Sequence, residues 1–112
     1  MPRSKIKTID VIELKKRMDL YPDLILVDVR ELYEWKAMHI AQAIHIPGNK
    51  IQQSIVETVS DKSLPIYIHC QAGVRSLYAA HSLIELGYVN VYSVNGGIID
   101  WANQGYPIVV EG

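Results

Sequence analysis

Ile66-Tyr67-Ile68-His69-Cys70-Gln71-Ala72-Gly73-Val74-Arg75-Ser76 is the stretch that decides the fold. Pro65 opens a strand over Ile66–His69, Gly73 marks a tight connection, and Arg75–Leu86 reads as the longest helix. Gly87 stops that helix as a C-terminal cap. A strand that turns sharply into a helix belongs to an α/β sheet, and such sheets bind ligands outside the carboxyl ends of their strands. Cys70 stands at that end. Its position favours chemistry over packing.

The same alternation extends in both directions. Upstream, Lys7–Ile9 reads as a short strand. Asp10 then caps a helix over Val11–Met18, with Glu13 in the capping-box position. Leu24-Ile25-Leu26-Val27 is a continuous apolar run, which implies burial on both faces, as in a parallel sheet covered by helices. A short helix over Glu31–Met38, a brief strand over Ala43–Ile46 ended by Pro47-Gly48, and an amphipathic helix over Lys50–Val59 follow. Downstream come a strand over Val89–Val94, a Gly96-Gly97 turn and a short helix over Ile98–Asn103; Gly105-Tyr106-Pro107 closes the domain. Five short strands separated by helices predict one α/β domain with a mainly parallel five-stranded sheet and helices on both faces. The single domain takes in residues 1–112, with 1–6 expected to form a flexible tail.

Composition narrows the function. The 112 residues are 49% apolar and 21% charged, a globular balance. Eleven Lys and Arg against twelve Asp and Glu leave a net charge of −1, with no basic field for nucleic acid. No apolar stretch approaches the roughly 18 residues needed to span a bilayer. The opening residues lack the apolar core of a signal peptide, so a cytoplasmic location is expected. One cysteine, Cys70, excludes an internal disulfide and a Cys-rich metal cluster. Arg75 is the only positive side chain in the last fifty residues, five positions after that cysteine.

A thiol at a helix entrance faces unsatisfied backbone N–H groups and the positive end of the helix dipole. Both favour thiolate, the reactive species. The small residues Ala72 and Gly73 allow successive N–H groups to converge in an anion-binding nest, and Arg75 adds a cation at its rim. A buried, inert thiol is the plain alternative.

The chain resembles the rhodanese homology domain in its single-domain form, over nearly its whole length. Three separated motifs carry the resemblance. One is Asp28-Val29-Arg30-Glu31 with Glu34-Trp35, His39-Ile40, Ala43 and Ile46-Pro47; another is the Cys70–Arg75 loop. The third is Asn95-Gly96-Gly97-Ile98 with Trp101 and Gly105-Tyr106-Pro107. Met38 and Gln42 depart from the pattern, standing where the family usually has glycine. The resemblance implies a sulfurtransferase, most simply a thiosulfate sulfurtransferase, that forms a persulfide on Cys70 without a cofactor. A small anionic sulfur donor such as thiosulfate would load the cysteine, and cyanide, a thiol or a protein would accept the sulfur. Backbone groups from Gln71, Ala72, Gly73, Val74, Arg75 and Ser76 would stabilise the sulfur. Arg75 would hold the loop and attract the donor.

Two rivals are a non-catalytic partner-binding module and a carrier that passes persulfide sulfur to a protein. Cysteine phosphatases and arsenate reductases resemble this loop too, but theirs has five residues between Cys and Arg where this chain has four, Gln71–Val74. His69 precedes the nucleophile, yet adjacent strand residues face opposite ways, which predicts a structural role beneath the loop. Asp28 and Arg30 read as a structural pair at the catalytic edge, with Arg30 a candidate for supporting the site from behind. His39, His45 and His81 show no metal-ligand spacing. Trp35 and Trp101 read as packing anchors, and Trp101 also as a shield for a persulfide.

Overall fold

The computed structural model describes residues 5–111. It contains strands β1 (Lys7–Ile9), β2 (Ile25–Asp28), β3 (Ile44–His45), β4 (Ile66–His69) and β5 (Val91–Val94). Five helices alternate with them: α1 (Val11–Leu20), α2 (Leu32–Ala37), α3 (Ile51–Thr58), α4 (Arg75–Glu85) and α5 (Gly97–Asn103). The strands form one sheet in the order β1-β5-β4-β2-β3, every neighbouring pair parallel. The doubly covered parallel sheet expected from the apolar runs is therefore present, with β4 at its centre. Of the expected tail over 1–6, residues 1–4 lie outside the described residues; Lys5 is exposed and Ile6 packs against the core.

Strand alternation builds two cores from one sheet. Val27, Ile66 and Ile68 face one side with Ile51, Ile55, Ala80 and Leu83, beneath α3 and α4. Leu26 and Tyr67 face the other with Leu14, Ile98 and Trp101, beneath α1 and α5. Cys70 continues the even-numbered series of β4 and joins the α3/α4 core. Trp101 belongs to the opposite core, 1% exposed, with its indole N–H donating to the Pro107 carbonyl at 2.8 Å. It is a packing anchor and not a shield over Cys70.

Several elements differ in length from the sequence expectation. The strand expected over Ala43–Ile46 pairs only at Ile44 and His45, because Pro47 follows at the sheet edge and has no N–H to extend a ladder. The helix expected from Lys50 starts with a 3₁₀ turn at Gly48–Lys50 and becomes α-helical at Ile51. Val89 and Asn90 bond to Lys62 and Ile66 and lie outside β5. Asp10 caps α1 as expected, its Oδ1 accepting the Glu13 N–H at 2.8 Å. Glu13 turns its own side chain to Arg17 at 3.2 Å, so the reciprocal half of a capping box is not made.

Candidate active site

β4 delivers Cys70 to the carboxyl edge of the sheet, and the next five residues curl around its sulfur. The N–H groups of Gly73 and Ser76 point at Sγ from 3.1 and 3.3 Å. The Ser76 hydroxyl lies 3.6 Å from the same atom and shares a 2.7 Å hydrogen bond with Ser93 of β5. Gly73 adopts φ +105°, a conformation that closes the curl and that side chains with a Cβ rarely adopt. Behind the loop, Ile98 and Ile99 of α5 donate their N–H groups to the carbonyls of Cys70 and Gln71 at 3.0 and 3.2 Å. That approach requires Gly97, where a Cβ would lie 2.5 Å from both carbonyl oxygens. The Gly96-Gly97 turn is thus a seat for the loop.

Cys70 is 1% exposed. Burial pushes its thiol pKa up, but the hydrogen bonds from the Ser76 hydroxyl and from the backbone of Ser76, Gly73 and Ala72 outweigh it. The net shift is downward. Alkylation by iodoacetamide should therefore follow a pH curve whose midpoint lies below that of free cysteine, because a lowered pKa keeps thiolate present as pH falls. Ser76→Ala should move the midpoint upward. An unchanged midpoint in that variant would remove the hydroxyl from the account.

Arg75 lies at the start of α4 and reaches across to α2. Its two Nη atoms donate to Oε1 and Oε2 of Glu34 at 2.7 and 2.8 Å. Oε1 also accepts the Glu31 N–H at 2.9 Å. The Arg75 hydrogen bond is the main force holding the Glu34 carboxyl at a pKa of about 2. The loop is thereby fastened to α2 by a bidentate ion pair, and the loop's guanidinium meets a carboxylate before any ligand arrives.

Arg30 supports the loop from below. It is 1% exposed and bonds Asp28 through Nε and Nη2 at 2.9–3.1 Å. Its Nη2 also donates to the Met38 carbonyl at 2.6 Å, and its Nη1 to Oε1 of Gln71 at 3.1 Å. The pair expected at Asp28 and Arg30 is thus formed, and it touches the loop through Gln71. His69 occupies the sheet face opposite the Cys70 core. Its Nδ1–H donates to the Cys70 carbonyl at 3.1 Å, while Nε2 lies 3.4 Å from Asp28. Burial holds its pKa down, so it remains a neutral support. Ala72 and Val74 are exposed on the outer loop. Met38, in place of a family glycine, has extended backbone at φ −165°, and Gln42 is exposed; no described non-glycine residue needs positive φ.

Two residues that hold the site, Glu34 and Ser93, carry no clear signal in the sequence pattern. Glu34 lies in the first motif, but its partner Arg75 is 41 positions away. Ser93 is a small polar residue within Val91–Val94, and its sequence neighbours give no sign of the bond to Ser76.

A cleft of about 270 Å³ opens beside the loop, lined by Val29, Glu31, Asn49, Arg75 and Tyr78 among others. A larger apolar cavity of about 430 Å³ lies at the opposite edge of the sheet, around Tyr21, Leu24, Ile25 and Pro65. No residue of the Cys70 loop lines it, whereas Arg75 of that loop lines the smaller cleft. Among the described residues, no group of His, Cys, Asp or Glu is arranged to hold a metal, and no helix is long and apolar enough to cross a membrane.

The family model of the Rhodanese-like domain matches residues 10–104. The chain belongs to the rhodanese-like domain family. A sulfurtransferase from Allochromatium vinosum is 36% identical over 104 residues, which cover 93% of this chain and 95% of that protein. A tRNA uridine(34) hydroxylase from Yersinia pestis is 34% identical over 95 residues, covering 78% of this chain but 27% of its own length. The solved BH2092 protein from Bacillus halodurans superposes with a TM-score of 0.83 at 29% identity, covering 94% of this chain and 77% of that one. This rhodanese-like domain thus shares its family and nearly its whole length with a sulfurtransferase.

Proposed function

We propose that this rhodanese-like domain transfers sulfane sulfur through a persulfide on Cys70. The observation that carries the reading is the convergence of the Gly73 and Ser76 N–H groups on Sγ. These donors stabilise negative charge on sulfur before and after transfer. With thiosulfate as donor, the Cys70 thiolate attacks the outer sulfur and the S–S bond breaks. Sulfite leaves with the bonding pair, and the outer sulfur remains on Cys70 as a persulfide. An incoming thiolate or cyanide then bonds to that sulfur, and the Cys70 thiolate leaves. Charge and atoms balance in each half, and the two halves predict ping-pong kinetics.

A single cysteine gives the persulfide no internal resolving partner. The acceptor must come from outside, as a small thiol or a cysteine on another protein. A reducing cytoplasm, where the thiol stays free, suits this chemistry.

Intact-mass measurement after exposure to thiosulfate, mercaptopyruvate or cysteine persulfide tests the reading. The expected result is a gain of one sulfur atom, removed by cyanide. No gain from any of the three donors would leave a binding module as the better account.

A further inference from the structure

The charge at the mouth of the site argues for a particular class of donor. The charged side chains lining the cleft beside the loop are Glu31 and Arg75. Arg75 is not available as a free cation, because Glu34 holds both of its Nη atoms at 2.7 and 2.8 Å. Glu34 is itself fixed: it accepts the Glu31 N–H at 2.9 Å, and its side chain is 15% exposed. The other guanidinium reaching the loop, Arg30, is bound by the buried carboxylate of Asp28. The cleft beside the loop therefore offers a donor a paired guanidinium and the carboxylate of Glu31, although Arg75 belongs to the loop.

We propose that Glu34 is a specificity-determining residue of this site. By neutralising Arg75 it disfavours dianionic donors such as thiosulfate and favours donors with at most one net negative charge, the class of small persulfides R–S–SH. In that step the Cys70 thiolate attacks the terminal sulfur, the donor S–S bond breaks, R–S⁻ leaves, and Cys70 holds the S–SH group. The inference rests on the sulfurtransferase reading and sharpens its donor.

Rates of Cys70 loading with thiosulfate and with cysteine persulfide, compared at low and high salt, provide the test. In Glu34→Gln, the ratio of thiosulfate rate to persulfide rate should rise roughly 5–10-fold at low salt and fall back as salt screens the freed Arg75. Glu34→Asp, which keeps the charge, should stay near the wild-type ratio. The wild-type protein gives a reading that no substitution can confound: its thiosulfate rate should rise or stay level as salt increases, because no free cation draws the dianion in. A wild-type thiosulfate rate that falls steeply with salt overturns the proposal. So does an unchanged ratio in Glu34→Gln, or equal slowing with both donors, which marks a merely structural clamp. If neither these two donors nor mercaptopyruvate loads wild-type Cys70, the sulfurtransferase reading itself fails.

Discussion

Cys70→Ser should take up no sulfur from any donor, and turnover should fall by at least about 10⁴-fold. The size of the loss follows from the nucleophile. A serine hydroxyl at neutral pH has almost no alkoxide, and the loop holds no neighbouring base to make one. His69 is turned to the opposite face of the sheet and spends its Nδ1–H on the Cys70 carbonyl. The loop's donors stabilise an anion that already exists; they do not remove a proton from an alcohol. The fold should survive, because serine differs by one atom and the Ser76 hydroxyl lies within reach as a hydrogen-bond partner. Its denaturation midpoint should correspond to a change within about 1.5 kcal/mol of wild type. Sulfite release and intact mass measure the chemistry, and urea unfolding measures the fold. A Cys70→Ser protein that still gains sulfur would move the nucleophile elsewhere, and with one cysteine in the chain there is no second thiol to take the role.

What the sequence disclosed about this site was local. Cys70, Gly73, Arg75 and Ser76 lie within one strand–turn–helix, so their spacing dictates that the loop curls on the sulfur. The opposite facing of His69 followed from strand alternation alone. The partners set by sheet order were harder to read. Glu34 meets Arg75 across 41 positions because α2 follows β2, and β2 is a direct neighbour of β4. Ser93 meets Ser76 because β5 flanks β4 on the other side. A free cation and a paired one look identical in a list of residues. The difference lies in the fold, and the proposed role of Glu34 in donor choice rests on it.

Asp28→Ala should destabilise the domain by about 3–5 kcal/mol, a large share of the 5–15 kcal/mol typical of a single domain. The melting temperature should fall by roughly 12–25 °C, and activity should fall with it. Asp28 is fully buried, and its carboxylate is the counter-ion of an Arg30 guanidinium that is itself 1% exposed. Removing it leaves a buried cation with only the Met38 carbonyl and the Gln71 side chain to solvate it. It also removes the acceptor for the Arg30 backbone N–H at 2.9 Å. The loss should come from the stranded charge more than from the missing contact, and a second substitution separates the two. Asp28→Ala with Arg30→Met replaces both charges by apolar groups and should recover a substantial part of the stability. Loading of Cys70 should recover less, because the double variant still lacks the Arg30 bond that holds Gln71 in the loop. A single variant that loses under about 1 kcal/mol, or a double variant no more stable than the single, would show that the buried pair does not anchor the fold in this way. Full recovery of both stability and loading would free Arg30 from any part in positioning the loop, leaving the curl around Cys70 to the Glu34 clamp and the glycine seat of α5.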